Sequence, residues 1–408
     1  MNNQEKKILI LSAFVNPFID NNNRVLSIAN QFVKNNWSVD IITSDFSHTY
    51  KMFYRDFVTT EPLFPVTFIH VIQYKKNLSL KRIISHLLFA LKAYFYLKIR
   101  IQQYHLIYST TPTNVAPYLI SFLAKKSNIR HVVDIIDIWP ESFYVLKNRN
   151  KWLYKILTFP WKGLSHSLYR RASILISSSK KYANFGQNFR SDDVRSYLLG
   201  VDLDKTKELI SLSKLKLPIK ADDEIWIAYG GSLGHSYDFD TIIESVTFFS
   251  NQKIKYMLIF IGGGVLENEI KEKIDEKGLN AIITGRIDYR DYLKWLSECE
   301  IAINSYKKDS FVGYSYKFSD YLAAGCCILN NLPGETADIV KKYNIGENFD
   351  YEENALKNLL YKLINNKQRI NYYRSNTNHL ASNELSKFKI MSALYYYITK
   401  DIHKVVIT

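Results

Sequence analysis

Short, uninterrupted apolar runs alternate with amphipathic stretches along almost the whole chain, and they come in two series. The first is KILILS (7–12), VDIITS (39–44), VTFIHVIQY (66–74), LIYSTT (106–111), HVVDIID (131–137), ILISSS (174–179) and YLLG (197–200). The second is EIWIAYGG (224–231), KYMLIFIGGG (255–264), AIITGR (281–286), IAINSY (301–306) and CCILNN (326–331). A strand with one wet face alternates apolar and polar residues, whereas a strand covered on both faces is apolar throughout. Such runs, separated by helical patterns, build βαβ units and a parallel sheet. Two series in 408 residues exceed what one core supports. The chain is therefore read as an α/β protein of two doubly wound, Rossmann-like domains facing a cleft, with ligands at the carboxyl ends of the strands. Residues 1–202 form the first domain and 224–384 the second. Residues 203–223, rich in Lys and Ser, are the connection, and 385–408 a helical segment crossing back to the first domain.

Charge separates the halves. The net +15 lies in residues 1–200, which hold 27 basic and 11 acidic side chains against 27 and 28 in the remainder. Two windows, Leu63 to Val133 and Ser142 to Ser191, contain no acid. In the first, Leu80 to Gln103 reads as an amphipathic helix. Leu80, Ile84, Leu87, Leu88, Leu91 and Phe95 lie on one face, with Lys81, Arg82, Lys92 and Arg100 opposite. In the second, Trp152, Tyr154, Phe159 and Trp161 are interleaved with Lys147, Arg149, Lys151, Lys155, Lys162, Arg170 and Arg171. The leucine face either packs on its own sheet or meets a membrane. Cations beside Trp and Tyr suit an anionic headgroup layer and favour the membrane. No nucleic-acid module accompanies them, so nucleic acid is not an expected partner. Three cysteines, two of them adjacent, make no disulfide framework, which points to a reducing cytosol. The amino terminus shows no apolar signal core and no stretch reads as a membrane span.

The motif-bearing segments fall after strands. GGSLG (230–234) offers backbone N–H groups to a phosphate, with Gly231 and Ser232 nearest, or is a plain turn. GGG (262–264), centred on Gly263, is equally a tight strand-to-helix turn. TGR (284–286) puts Arg286 at a strand end. In VGYSYKFSDYLAAGCCILNN (312–331) a helix begins near Ser315. Lys317 then lies in its first turn, where a cation is unfavourable unless an anion is near. Asp320, one turn on, is placed to accept from ribose hydroxyls. DIIDIWPESF (134–143) offers Asp137 to orient an acceptor hydroxyl or to favour a helix start. NNNR (21–24) brings Asn23 and Arg24 into a loop after the first strand, as turn formers or as phosphate contacts. The pairs Asp202/Asp204 and Asp238/Asp240 read as helix caps rather than as a metal site.

In order and spacing, KILILSAF, VDIITS, DIIDIWPES, LLGVDLDK, IAYGGSLG, FIGGG, ITGR, YSYKFSDYLAAG and GETADIVKKYNIGENF resemble the family-4 retaining glycosyltransferases of the GT-B fold. The likeness is greatest to the subset that builds bacterial capsule, O-antigen and exopolysaccharide on lipid carriers. The resemblance implies a hexosyl- or N-acetylhexosaminyl-transferase. It would take a nucleotide-sugar donor, a UDP-sugar favoured, on the second domain and a polyprenyl-diphosphate-linked acceptor on the first. No metal and no cofactor are implied. Carried over, Ser315, Tyr316, Lys317 and Asp320 hold the donor diphosphate and ribose, while Arg286 and Ile287 border the base. Lys317 and Asp137 are the catalytic candidates, and Asn23, Arg24 and Asp137 the acceptor-side ones. With the charge pattern, this places the protein in the cytoplasm, peripheral on the inner face of the plasma membrane.

The pattern departs from the family at three points. The family's pair of glutamates eight positions apart appears as Val312 and Asp320, so the sugar-contacting acid is missing unless Asp309 or Ser310 substitutes. Its phosphate-binding Arg and Lys correspond to Ser232 and about Tyr237. Its amino-terminal double glycine is replaced by asparagines. These losses motivate a second reading, a catalytically silent GT-B scaffold. A nucleotide-sugar epimerase is a third.

Overall fold

The structure, a computed structural model, describes residues 5–19, 23–76, 79–142, 151–252 and 254–400. The chain divides into two compact units, Met1–Leu199 with Met391–Thr408, and Gly200–Ile390. The first unit carries β1 (Lys6–Leu11), β2 (Trp37–Ser44), β3 (Phe46–Ser47), β4 (Met52–Phe53), β5 (Val66–Ile69), β6 (Leu106–Thr110), β7 (Arg130–Ile135), β8 (Ile174–Ser177) and β9 (Arg195–Ser196). Seven of them make a parallel sheet in the order β5-β2-β1-β6-β7-β8-β9, and β3 pairs antiparallel with β4. The second unit carries β10 (Ile225–Gly230), β11 (Tyr256–Ile261), β12 (Ala281–Ile283), β13 (Ile301–Asn304), β14 (Cys327–Asn330) and β15 (Gly346–Asn348). These form a parallel sheet in the order β12-β11-β10-β13-β14-β15.

Both sheets are doubly wound. The chain moves outward from β1 in one direction and resumes at β6 on its other side; β10 and β13 repeat the arrangement. The continuous apolar runs explain it: every residue of β6 and of β10 is buried, because helices cover both faces of each sheet. Where structure and sequence patterning differ, the reason is local. YLLG (197–200) follows β9 rather than forming a strand. The run at 66–74 leaves the sheet after Ile69 and continues as a loop that buries Tyr74. The connecting stretch begins with a helix, Leu203–Leu212, whose amino end Asp202 caps by accepting from Lys205 N–H at 3.1 Å.

Helix Leu80–Lys98 inverts the usual arrangement. Ser85, His86, Phe89, Ala90, Ala93 and Leu97 are buried, while Leu80, Ile84, Leu87, Leu91 and Phe95 are exposed, Leu80 at 72% and Phe95 at 62%. The leucine face is therefore not core. Small side chains let the helix pack closely on helix Val115–Lys126, which in turn packs on helix Lys151–Arg171. That third helix exposes Trp152, Ile156 and Phe159. Lys147 and Arg149 lie outside the described residues, as do Asn21 and Asn22. Among the described residues no helix is long and apolar enough to cross a membrane. Cys299, Cys326 and Cys327 are free, buried thiols.

Candidate functional site

In a doubly wound sheet, the ends of the two strands flanking the winding reversal leave a crevice between loops that turn opposite ways. In the second unit those strands are β10 and β13, and helix Tyr316–Ala323 starts beside them. Tyr321 on this helix fixes its position: its hydroxyl accepts from Gly230 N–H at 2.9 Å and lies 3.2 Å from the carbonyl of Ile303. Ser315 is the helix N-cap residue, yet its side chain does not cap. Its hydroxyl donates instead to Asn304 at 2.8 Å and accepts from Tyr306 at 3.1 Å. The Ser315 side chain is thus turned into the fold rather than toward the first-turn N–H groups that an N-cap side chain usually meets.

Lys317 occupies that turn, and its side chain is buried at 8% exposure. Its ammonium donates to the Tyr229 hydroxyl at 2.6 Å. It also sits 3.5 Å from the centre of the Tyr237 ring, 4.0 Å from Tyr229 and 5.3 Å from Tyr306. Aromatic faces attract a cation, but they do not replace water's hydrogen bonds. Burial accordingly pushes the amine well below the ordinary lysine range, opposed in part by the charge of Asp320. The Lys317 side chain borders Gly231, where an added Cβ would lie 3.4 Å from its Cε. A buried amine in the first turn of a helix, beside a glycine loop, is chemically able to take an anion such as a diphosphate.

Asp320, half-buried, accepts from Tyr289 at 2.7 Å and Tyr292 at 3.4 Å. The two tyrosines hold the carboxylate in place one turn beyond Lys317. The two glycine loops are pressed together backbone to backbone. A Cβ on Gly262 would stand 2.1 Å from the Gly231 carbonyl oxygen, and one on Gly264 2.3 Å from that of Leu233. Gly263 accepts from Leu233 N–H at 3.1 Å and lies against Arg286 N. The GGG segment therefore packs the loops, and Gly263 reaches a ligand only through its backbone. Ser232 and Arg286 are exposed and Ile287 half-buried; the Ser232 carbonyl accepts from the Tyr229 hydroxyl at 2.9 Å. Tyr316 is 38% exposed.

Residues 214–379 match the family described as Glycosyl transferases group 1. Solved structures match nearly the whole chain, among them the following three. HepE of Anabaena in complex with UDP and glucose does so with TM-score 0.67 at 14% identity, over 97% of this chain and 100% of that one. Sucrose-phosphate synthase of Thermosynechococcus elongatus gives 0.69 at 13% identity, over 98% and 100%. WaaG, a glycosyltransferase involved in lipopolysaccharide biosynthesis, gives 0.68 at 11% identity, over 96% and 99%. The fold is GT-B. No curated protein sequence matches the chain.

In the first unit of this GT-B chain, two acceptor-side candidates turn out to be held inside the fold. Asn23 is the N-cap of helix Arg24–Val33, its side chain accepting from Val25 N–H at 2.9 Å and Leu26 N–H at 3.2 Å. Arg24 is not a loop residue but the first of that helix. It is 4% exposed and ion-paired with the fully buried Asp134, and it donates to the carbonyls of Tyr197 and Ser177. Tyr108 also donates to Asp134. A cation this enclosed persists because it is paired, so Arg24 braces β7, β8 and the chain after β9 rather than meeting a phosphate. Asp137 differs. It is half-buried and accepts from Ile138 N–H at 2.8 Å and Trp139 Nε1 at 2.9 Å. Burial raises its pKa, opposed by these bonds and by Arg82.

Sequence patterning did not reach the tyrosines of the second GT-B unit. Tyr229, Tyr237 and Tyr306 surround Lys317, and Tyr289 with Tyr292 hold Asp320; the one signal was a Tyr content of 30. Asp309 is exposed and Ser310 donates to the Ser236 carbonyl at 2.7 Å. Among the described residues no group of three or more His, Cys, Asp or Glu is placed to hold a metal ion.

Proposed function

We propose that this protein is a retaining glycosyltransferase of bacterial surface-polysaccharide synthesis, working on the cytoplasmic face of an anionic membrane. It moves a hexosyl or N-acetylhexosaminyl group from a UDP-sugar to a saccharide carried on a polyprenyl diphosphate. The observation that carries the reading is the buried Lys317 amine beside the Gly231 loop, in the first turn of helix Tyr316–Ala323. As the bond from the anomeric carbon to the diphosphate breaks, negative charge collects on the leaving group. Donors already fixed in a desolvated site stabilise that charge most. Lys317 replaces the cations missing at Ser232 and Tyr237; its ammonium lies against the Tyr237 ring itself. The acceptor oxygen then bonds to the same face of the sugar, and its proton passes to the departing diphosphate, so no metal is required. Asp320 takes the ribose, and Asp137 orients the acceptor in the first unit. HepE of Anabaena, bound to UDP and to UDP-glucose in its structures, supports UDP as the nucleotide.

The membrane part rests on the exposed Leu80, Leu87, Leu91 and Phe95 face and on Trp152 and Phe159, within the acid-free windows. The test is calorimetric titration of the full chain with UDP, GDP, TDP and CMP in EDTA. Saturable UDP binding, reduced at least about tenfold in Asp320→Ala by loss of charged hydrogen bonds, is expected. Absence of binding to every nucleotide would overturn the reading. Binding without turnover on any donor and lipid acceptor would favour the silent scaffold that Val312 motivates.

A further inference from the structure

We infer that the first unit contains an oxyanion site, formed by Lys51, His48, Arg82 and His86 around the rings of Tyr74 and Trp139, which takes a phosphate or diphosphate ester. Its parts arrive from separate elements. Phe14, His48, Tyr74 and Trp139 follow the carboxyl ends of β1, β2, β5 and β7, where a doubly wound sheet places its ligands. Arg82 and His86 come from the first two turns of helix Leu80–Lys98, which has no acid in its first turn. The Arg82 guanidinium lies 4.4 Å from the Trp139 ring and 5.9 Å from Tyr74. Lys51 Nζ lies 4.9 Å from the Tyr74 ring and 3.3 Å from His48 Nδ1, which is itself 2.6 Å from the Tyr74 hydroxyl. His86 stacks on Trp139, ring centres 5.8 Å apart.

Two independent features show that this cluster is made for a ligand rather than for packing. His86 is 6% exposed, and its enclosed Nε2 finds no hydrogen-bond partner among the described residues. Four nitrogen bases also converge there, with Tyr74 and Asp137 acting on Arg82. A bound oxyanion answers both, giving the imidazole a partner and the cluster of bases an anion. Burial, then repulsion from Arg82, drives the pKa of His48 and of His86 down to about 3 and that of Lys51 to about 8. Phe14, His48, Lys51 and Asp137 are half-buried, while Tyr74, Arg82, His86 and Trp139 are buried. On the glycosyltransferase reading, on which this step rests, the ligand is the diphosphate of the acceptor.

The experiment is calorimetric titration of the full chain, with UDP saturating to fill the second unit, against inorganic diphosphate and then farnesyl diphosphate. One additional site is expected, weakened about fivefold by Lys51→Met and about twentyfold by Arg82→Gln, with UDP affinity within about twofold of wild type. Tighter binding of farnesyl diphosphate identifies a lipid-borne phosphate; equal binding identifies a free one. No second site, or both variants binding as wild type, overturns the proposal. Should Arg82→Gln not fold, the half-buried Lys51→Met still decides. Diphosphate binding that responds to Lys51→Met in a chain that binds no nucleotide would keep the site and remove the transferase reading.

Discussion

Lys317 has the least favourable surroundings of any cation in the second unit's site, and this makes its role separable from stability. An unfolded lysine binds its proton up to about pH 10.4. The folded amine, desolvated among Tyr229, Tyr237 and Tyr306, gives it up well below that. At neutral pH the unfolded chain therefore holds protons more tightly at this position, and folding is opposed by the difference. Lys317→Met should raise stability, by about 0.5–2 kcal/mol as relieved active-site strain commonly does, while abolishing UDP binding. A destabilised variant that still binds UDP would remove Lys317 from the site. The lysine was legible in sequence because a cation in a helix's first turn is unfavourable on local grounds. Its cage was not, since Tyr229 and Tyr306 are far apart in the chain and only the sheet brings them together. Arg24 shows the converse: its residue type suggested a phosphate, and its true partner, Asp134, lies 110 positions away.

At the scale of one element, helix Leu80–Lys98 shows why amphipathic periodicity gives a face but not its direction. The leucine stripe and the stripe holding Phe89, Ala90, Ala93 and Leu97 are both apolar enough to be buried. Backbone approach to helix Val115–Lys126 selects the small residues, leaving the leucines outside. That surface commits the helix to an apolar contact elsewhere, and its flanking lysines select an anionic one. Leu87→Ser/Leu91→Ser/Phe95→Ser should cut binding to phosphatidylglycerol vesicles at least about tenfold, since even partial burial of three such side chains exceeds 1.4 kcal/mol. The thermal midpoint should not fall, because 41–62% of each side chain is already in water. Sedimentation with vesicles and a thermal scan check both halves. Unchanged sedimentation would leave the stripe without a membrane role.

Across the whole molecule, the two sheets were legible because burial on both faces writes itself into the sequence as unbroken apolar runs. The distribution of buried histidines was not, because His48, His86 and His131 become alike only once folded. Each is pushed by burial to a pKa of about 3, and all three belong to the first unit. Between pH 6.5 and about 3 they are protonated in the unfolded chain and neutral in the folded one. Stability is therefore intact above pH 6.5 and falls as the pH drops, by at most about 1.4 kcal/mol per pH unit for each histidine. The first unit should lose its protection at a milder acidity than the second. Hydrogen exchange with mass spectrometry at pH 7 and pH 5, corrected for intrinsic exchange, reads this peptide by peptide. Peptides around β6 and β7 should open more readily at pH 5, while those of β10 and β13 change less. His131→Phe, removing a fully enclosed imidazole, should shrink that difference by about one histidine's share. Equal loss of protection in both units would mean that carboxylates elsewhere, not these three rings, govern the acid limit of the fold.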